Sequence, residues 1–145
     1  MRQILCAVTL CAAGLIPGPS VYAQCPTGIV TVQGKLDQLP RESTGADVTV
    51  VLKTPKGDFS KTVPTTGTQF GVEVDFNTLK SWSPVWGHRC SNLPSSVTVR
   101  VSNAGQRFTE TVLDFKRYFE EHDAFRYRLR RSLTISPLTE PTRKP

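Results

Sequence analysis

One methionine, two histidines and four cysteines are all that 145 residues offer in the way of soft or imidazole ligands. No CxxC or HxxxH pair occurs among them, so no spacing suggests a tetrahedral metal set. A G-x-S-x-G elbow and a glycine-rich phosphate loop are also missing, which leaves nucleophilic and phosphate-handling catalysis without a motif. There is no N-x-S/T sequon, in keeping with a bacterial source. No segment reaches the run of about 20 apolar residues that a membrane helix needs, and no internal repeat is evident.

What is present at the start reads as a secretory signal over residues 1–23. Arg2 supplies the positive end, Ile4 to Ile16 the apolar run, Pro17-Gly18-Pro19 the break, and Val21-Tyr22-Ala23 the cleavage site. Leu10 and Gln24 precede Cys11 and Cys25, where a lipoprotein signal would want a small residue. Removal of the signal takes Cys6 and Cys11 with it and leaves Cys25 and Cys90, expected to form one disulfide in an oxidising compartment. The remaining chain of about 120 residues is the size of one domain. Its formal charge falls from +6 to +5 with the loss of Arg2, a balance that suits ordinary solubility and also favours acidic partners.

Residues 24–135 carry short strands separated by turn signals. Val30, Val32, Gly34 and Leu36 alternate with Thr31, Gln33 and Lys35 in the period of two of a half-buried strand. Leu39 to Gly45 is a loop rich in breakers, after which Val48, Val50 and Leu52 line a second strand that ends at Thr54-Pro55-Lys56-Gly57-Asp58. A short strand from Phe59 to Val63 has Lys61 on its apolar parity, which suits a sheet edge. Phe70, Val72, Val74 and Phe76 give the clearest alternation and are expected to lie centrally. Further on, Val97, Val99 and Val101 form an inward face, and Asn103-Ala104-Gly105 is a hairpin turn. The returning strand, Gln106 to Phe115, changes parity and so predicts a bulge near Thr111. One or two helical turns are expected between Asp114 and Asp123, then a last strand with Phe125, Tyr127 and Leu129 on one side and Arg126, Arg128 and Arg130 on the other. Arg131 falls on the apolar parity and belongs at a rim or beside an acid, and residues 136–145 read as a disordered tail. About seven strands with almost no helix predict an all-β, seven-stranded antiparallel immunoglobulin-like β-sandwich with one disulfide.

Three stretches carry a family likeness: Val32-Gln33-Gly34-Lys35-Leu36, Gly45-Ala46-Asp47-Val48-Thr49-Val50, and Thr65-Thr66-Gly67-Thr68-Gln69-Phe70-Gly71-Val72-Glu73-Val74. Residues 28–76 thereby resemble transthyretin-like, carboxypeptidase-regulatory-like β-sandwich domains, which tend to read G-x-V or G-x-L, G-A-x-V-x-V and T-x-x-G-x-F. The tight Pro-Gly-Tyr turn of that pattern is replaced here by the segment from Lys80 to Pro94. The resemblance implies a sandwich fold and a non-catalytic accessory role.

The segment from Lys80 to Pro94 holds both tryptophans, His88 and Cys90. Two readings are open. Pro84, Trp86 and Pro94 would pack as a plug over one end of the sandwich, pinned by Cys90, which is the plainer reading; alternatively Trp82 and Trp86 would present flat faces to a sugar ring or other apolar ligand, with His88 and Arg89 supplying hydrogen bonds and charge. Arg126, Arg128 and Arg130 would form a stripe able to contact anions, or simply a solvated face. Nucleic acid is disfavoured because the neighbouring aromatics alternate to the opposite side from these arginines. A metal-dependent activity would require His88 and His122 to meet Glu120, Glu121 or Asp123. The expectation is an exported module with a structural or binding role, no enzymatic activity and no cofactor or metal. Its alternative is a carbohydrate or anionic-polymer binder. Its partner would be a periplasmic or extracellular ligand or protein.

Overall fold

A computed structural model of the chain describes residues 25–37, 45–103 and 106–136. The segment expected to be an export signal, most of the loop before Gly45, Ala104-Gly105 of the expected hairpin turn and the tail beyond Ser136 lie outside the described residues. Alternating apolar residues fold into eleven strands among the described residues: β1 (Thr27–Leu36), β2 (Ala46–Thr54), β3 (Gly57–Thr65), β4 (Gln69–Asn77), β5 (Leu79–Ser83), β6 (Gly87–Cys90), β7 (Ser96–Asn103), β8 (Gln106–Asp114), β9 (Phe119–Asp123), β10 (Arg126–Leu129) and β11 (Leu133–Ile135). The one helical turn, α1 (Phe115–Tyr118), is capped by Asp114, whose carboxylate accepts from the Arg117 amide at 2.8 Å.

Two sheets enclose one core. The first runs β3-β2-β7-β8, antiparallel throughout. The second is built on β1, with β4 along one of its edges and β10 and β11 along the other, and β9 outside β10. Val30, Val32 and Leu36 of β1 and Val72, Val74 and Phe76 of β4 face Val48, Val50 and Leu52 of β2 and Val97, Val99 and Val101 of β7, all of them buried. Phe115, Phe119 and Tyr127 join this core as a buried ring cluster, with Phe115 stacked on Phe119 at 5.2 Å and edge-on to Tyr127 at 5.1 Å. Burial, and after it the charge of Glu121 and a hydrogen bond to it, raises the Tyr127 phenol above its ordinary range.

Several expectations are corrected. The strands number eleven rather than seven because the segments after α1 form three short strands and the tryptophan segment forms two more. The architecture is not purely antiparallel, since β1 pairs in parallel with β10 (Val30 beside Tyr127) and with β11 (Lys35 beside Thr134). Strand β4 is an edge of its sheet and β1 is the central one, because β4 pairs with β1 alone. The register shift of β8 lies opposite Val101 and Ser102, between Arg107 and Thr109, rather than near Thr111. Phe125 leaves the last strand: its φ of 57° places it in the turn before β10, where its amide donates to Glu121 at 2.8 Å. Strand β3 is an edge, and Lys61 on it is exposed to solvent.

Gly34 shows how closely β1 is held on both sides. A methyl group there would strike the Phe70 ring at 2.6 Å and the Leu133 carbonyl, one from each neighbouring strand. The carbonyl belongs to the backbone of β11 and cannot swing away as a side chain would. We therefore expect Gly34→Ala to lower unfolding free energy by about 1–3 kcal/mol, read from urea denaturation. A denaturation midpoint equal to that of the parent chain would contradict this packing.

Candidate functional site

Strands β5 and β6 form a two-stranded ribbon that pairs with neither large sheet. Its turn is Pro84-Val85-Trp86, where the Ser83 hydroxyl accepts from the amides of Val85 (3.2 Å) and Trp86 (3.3 Å) and Gly87 takes a φ of 72° to bring the chain back. Trp82 lies opposite His88, Ser81 opposite Arg89 and Leu79 opposite Cys90, with a register shift at Lys80.

An isolated two-stranded ribbon is marginal in water, so its order must come from its base. That base is covalent and polar. Cys90 is bonded to Cys25, which lies just ahead of β1. Thr78 and Asn92, both fully buried, flank the ribbon: the Thr78 hydroxyl donates to the Pro26 carbonyl, the Asn92 side chain donates to the Asn77 carbonyl at 2.6 Å, and the Asn92 amide donates to the Thr78 carbonyl at 3.0 Å. The start of β1, the end of β4 and both ends of the ribbon are thus tied at one point.

The tip is open. Trp82 is 57% exposed, Val85 76% and Trp86 87%, and among the described residues neither indole packs against another aromatic ring. Of the three residues expected to form a plug, Pro94 is buried but Pro84 and Trp86 are exposed, so the apolar side chains of the tip project into solvent instead of covering the sandwich. His88 is half-buried, and its Nδ1 lacks a hydrogen-bonding partner among the described residues. Lys80 and Arg89 are exposed, and the ribbon has no acidic residue.

Two arginines of the predicted row stay together and the third leaves it. Arg126 and Arg128 stand on the outer face of β10, where Arg128 Nε meets Glu120 at 3.0 Å and Arg126 lies opposite Asp123. Across β1, Glu73 accepts from the Thr31 hydroxyl at 3.5 Å, so basic residues on this face alternate with acidic ones. Such exposed pairs contribute about 0–1 kcal/mol each. Arg130 lies beyond the end of β10 and donates from Nε to the Phe119 carbonyl at 3.2 Å. His88 is on the ribbon and His122 on β9, and among the described residues no group of three or more His, Cys, Asp or Glu side chains is placed to hold a metal ion. No helix among the described residues is long and apolar enough to cross a membrane.

Two residues that sequence reasoning did not select, Arg117 and Tyr118, flank Arg130 and Arg131 at a cavity between the sheets. Both fall within the helical turn that the spacing predicted, but only the fold brings them to the link after β10.

The ribbon's dependence on its base has a measurable consequence. Replacing Cys25 and Cys90 by serine opens a loop spanning 65 residues, a loss of about 4 kcal/mol from chain entropy. The melting temperature is expected to fall by more than about 10 °C, whereas the exposed tip makes Trp82→Ala with Trp86→Ala neutral to within about 0.5 kcal/mol. Thermal denaturation that ranked the two double variants in the opposite order would contradict this division between base and tip. Comparisons of the chain with protein-family models, with curated proteins and with solved structures found no match.

Proposed function

We propose that the chain is an exported, non-catalytic binding module of the transthyretin-like, carboxypeptidase-regulatory-like kind, and that it engages an acidic polysaccharide through the β5–β6 ribbon. The observation that carries this is the exposure of Trp82 and Trp86 on a ribbon whose base is covalently fixed. Large apolar rings left in water gain free energy when a ligand covers them, and a pre-ordered ribbon loses little conformational entropy on binding. Indole faces suit the apolar faces of sugar rings. Lys80 and Arg89, with no acid on the ribbon to offset them, favour a negatively charged chain. The disulfide suits an oxidising compartment, which accords with the reading of residues 1–23 as an export signal.

The outer face of β10 contributes less to this reading, since Arg128 is engaged by Glu120. The ribbon is therefore the part to test. Titration of the oxidised protein with alginate, heparin and neutral glucan, followed by indole emission, is expected to give saturable binding to an acidic polymer. Trp82→Ala with Trp86→Ala weakens it by more than about tenfold, and Lys80→Gln with Arg89→Gln reduces its salt dependence. Binding that persists in the tryptophan double variant removes the ribbon from the proposal. Binding to anionic lipid vesicles and to none of the polymers would replace the polysaccharide with a membrane surface.

A further inference from the structure

The seam between the two sheets opens beside the edge strand β8, at a cavity of about 420 Å³. Its apolar wall is Leu113, which is buried, with Leu129 and Leu133, both half-buried and packed against the core. Its polar rim is Arg117 and Tyr118 of α1 together with Arg130 and Arg131 of the link between β10 and β11. The cavity exists because β10 and β11 share one edge of β1 without joining: β10 pairs with Ile29 to Thr31, β11 with Gly34 to Leu36, and Arg130 to Ser132 cross the gap between them.

All three arginines line the cavity, and the fold anchors two of them, Arg117 and Arg130. The Asp114 carboxylate caps the turn that carries Arg117, and the Arg117 guanidinium lies 5.5 Å from the centre of the Tyr118 ring. The Tyr118 carbonyl accepts from the Arg130 amide at 2.9 Å, while Arg130 Nε donates to the Phe119 carbonyl, and among the described residues the terminal nitrogens of that guanidinium have no protein partner. Arg100 pairs with Glu110 and Arg128 with Glu120, whereas among the described residues none of the three rim arginines has a carboxylate within ion-pair distance.

A basic rim over an apolar wall specifies its ligand by chemistry. Guanidinium groups match carboxylate and phosphate oxygens in a forked geometry, and the leucines favour an aliphatic or aromatic body. The volume falls in the range of small-ligand sites, roughly 300–1,000 Å³. We infer that this seam binds an amphipathic anion, an acidic head on an apolar tail, with the head on Arg117, Arg130 and Arg131 and the tail along Leu113, Leu129 and Leu133. This is a second site, independent of the ribbon.

Isothermal titration of the oxidised protein with decanoate and with decyl phosphate tests it, with decanol and acetate as the tail-only and head-only controls. The expected result is one saturable site for at least one of the two amphipathic anions, with each control weaker by about tenfold or more. A preference between the two tells a fatty-acid source from a phosphorylated lipid. Arg117→Gln with Arg131→Gln, two exposed positions, is expected to weaken the preferred anion by about tenfold. Lys56→Gln with Lys61→Gln, an equal charge change on and beside β3, and Trp82→Ala with Trp86→Ala are expected to leave it unchanged. Failure of both anions to bind overturns the inference. So does binding that decanol matches, or that the β3 charge variant weakens as much as the rim variant does. Loss of binding in the tryptophan variant alone would assign the anion to the ribbon instead.

Discussion

Strand β1 is paired along both edges, and every other feature of the second sheet follows from that. Nine of its ten residues pair with β4 on one side, while the two short strands that pair with its other side match only three residues each. Pairing on both edges requires apolar residues inward and small ones where rings press close, which is how Val30, Val32, Gly34 and Leu36 are arranged. The uncovered stretch between the short strands forces Arg130 to Ser132 outward and so creates the seam with its basic rim. Strand β1 also begins beside the disulfide, which makes the same element the anchor for the tryptophan ribbon.

Order in the ribbon is borrowed from that anchor. Buried Thr78 and Asn92 tie the flanks to backbone carbonyls near the start of β1 and the end of β4, and Cys90 adds a covalent tie to Cys25. Apolar groups that would otherwise collapse inward are thereby held in water at Trp82, Val85 and Trp86. An exposed apolar tip on a rigid stalk is a physical arrangement suited to recognition, since ordering has been completed before the ligand arrives.

Much of the fold was legible because a period of two reports a half-buried strand directly. The inward sets of β1, β2, β4 and β7 follow from alternation, and the pairing of Cys25 with Cys90 was expected once Cys6 and Cys11 were assigned to an export signal. Alternation reports which face is buried but carries no information about neighbours, which is why Phe70 to Phe76 read as central although β4 is an edge. The parallel pairs were hidden for a different reason: β10 and β11 have four and three residues, too few to show a period or a direction. Tryptophan composition alone pointed Trp82 and Trp86 toward burial; the Ser83 turn and Gly87 decide otherwise by local geometry. The arginine row suffered from the same limit, since Arg126, Arg128 and Arg130 share a parity but β10 ends at Leu129 and Arg130 turns to the Phe119 carbonyl.

The central claim is that a fixed base holds both indoles in water. Acrylamide quenching of intrinsic tryptophan fluorescence in the oxidised, ligand-free protein measures it directly. The account predicts red-shifted emission, quenched throughout with an accessibility close to that of a free indole. Blue-shifted emission protected from acrylamide would mean that the ribbon folds back onto the sandwich, and the open tip would have to be abandoned.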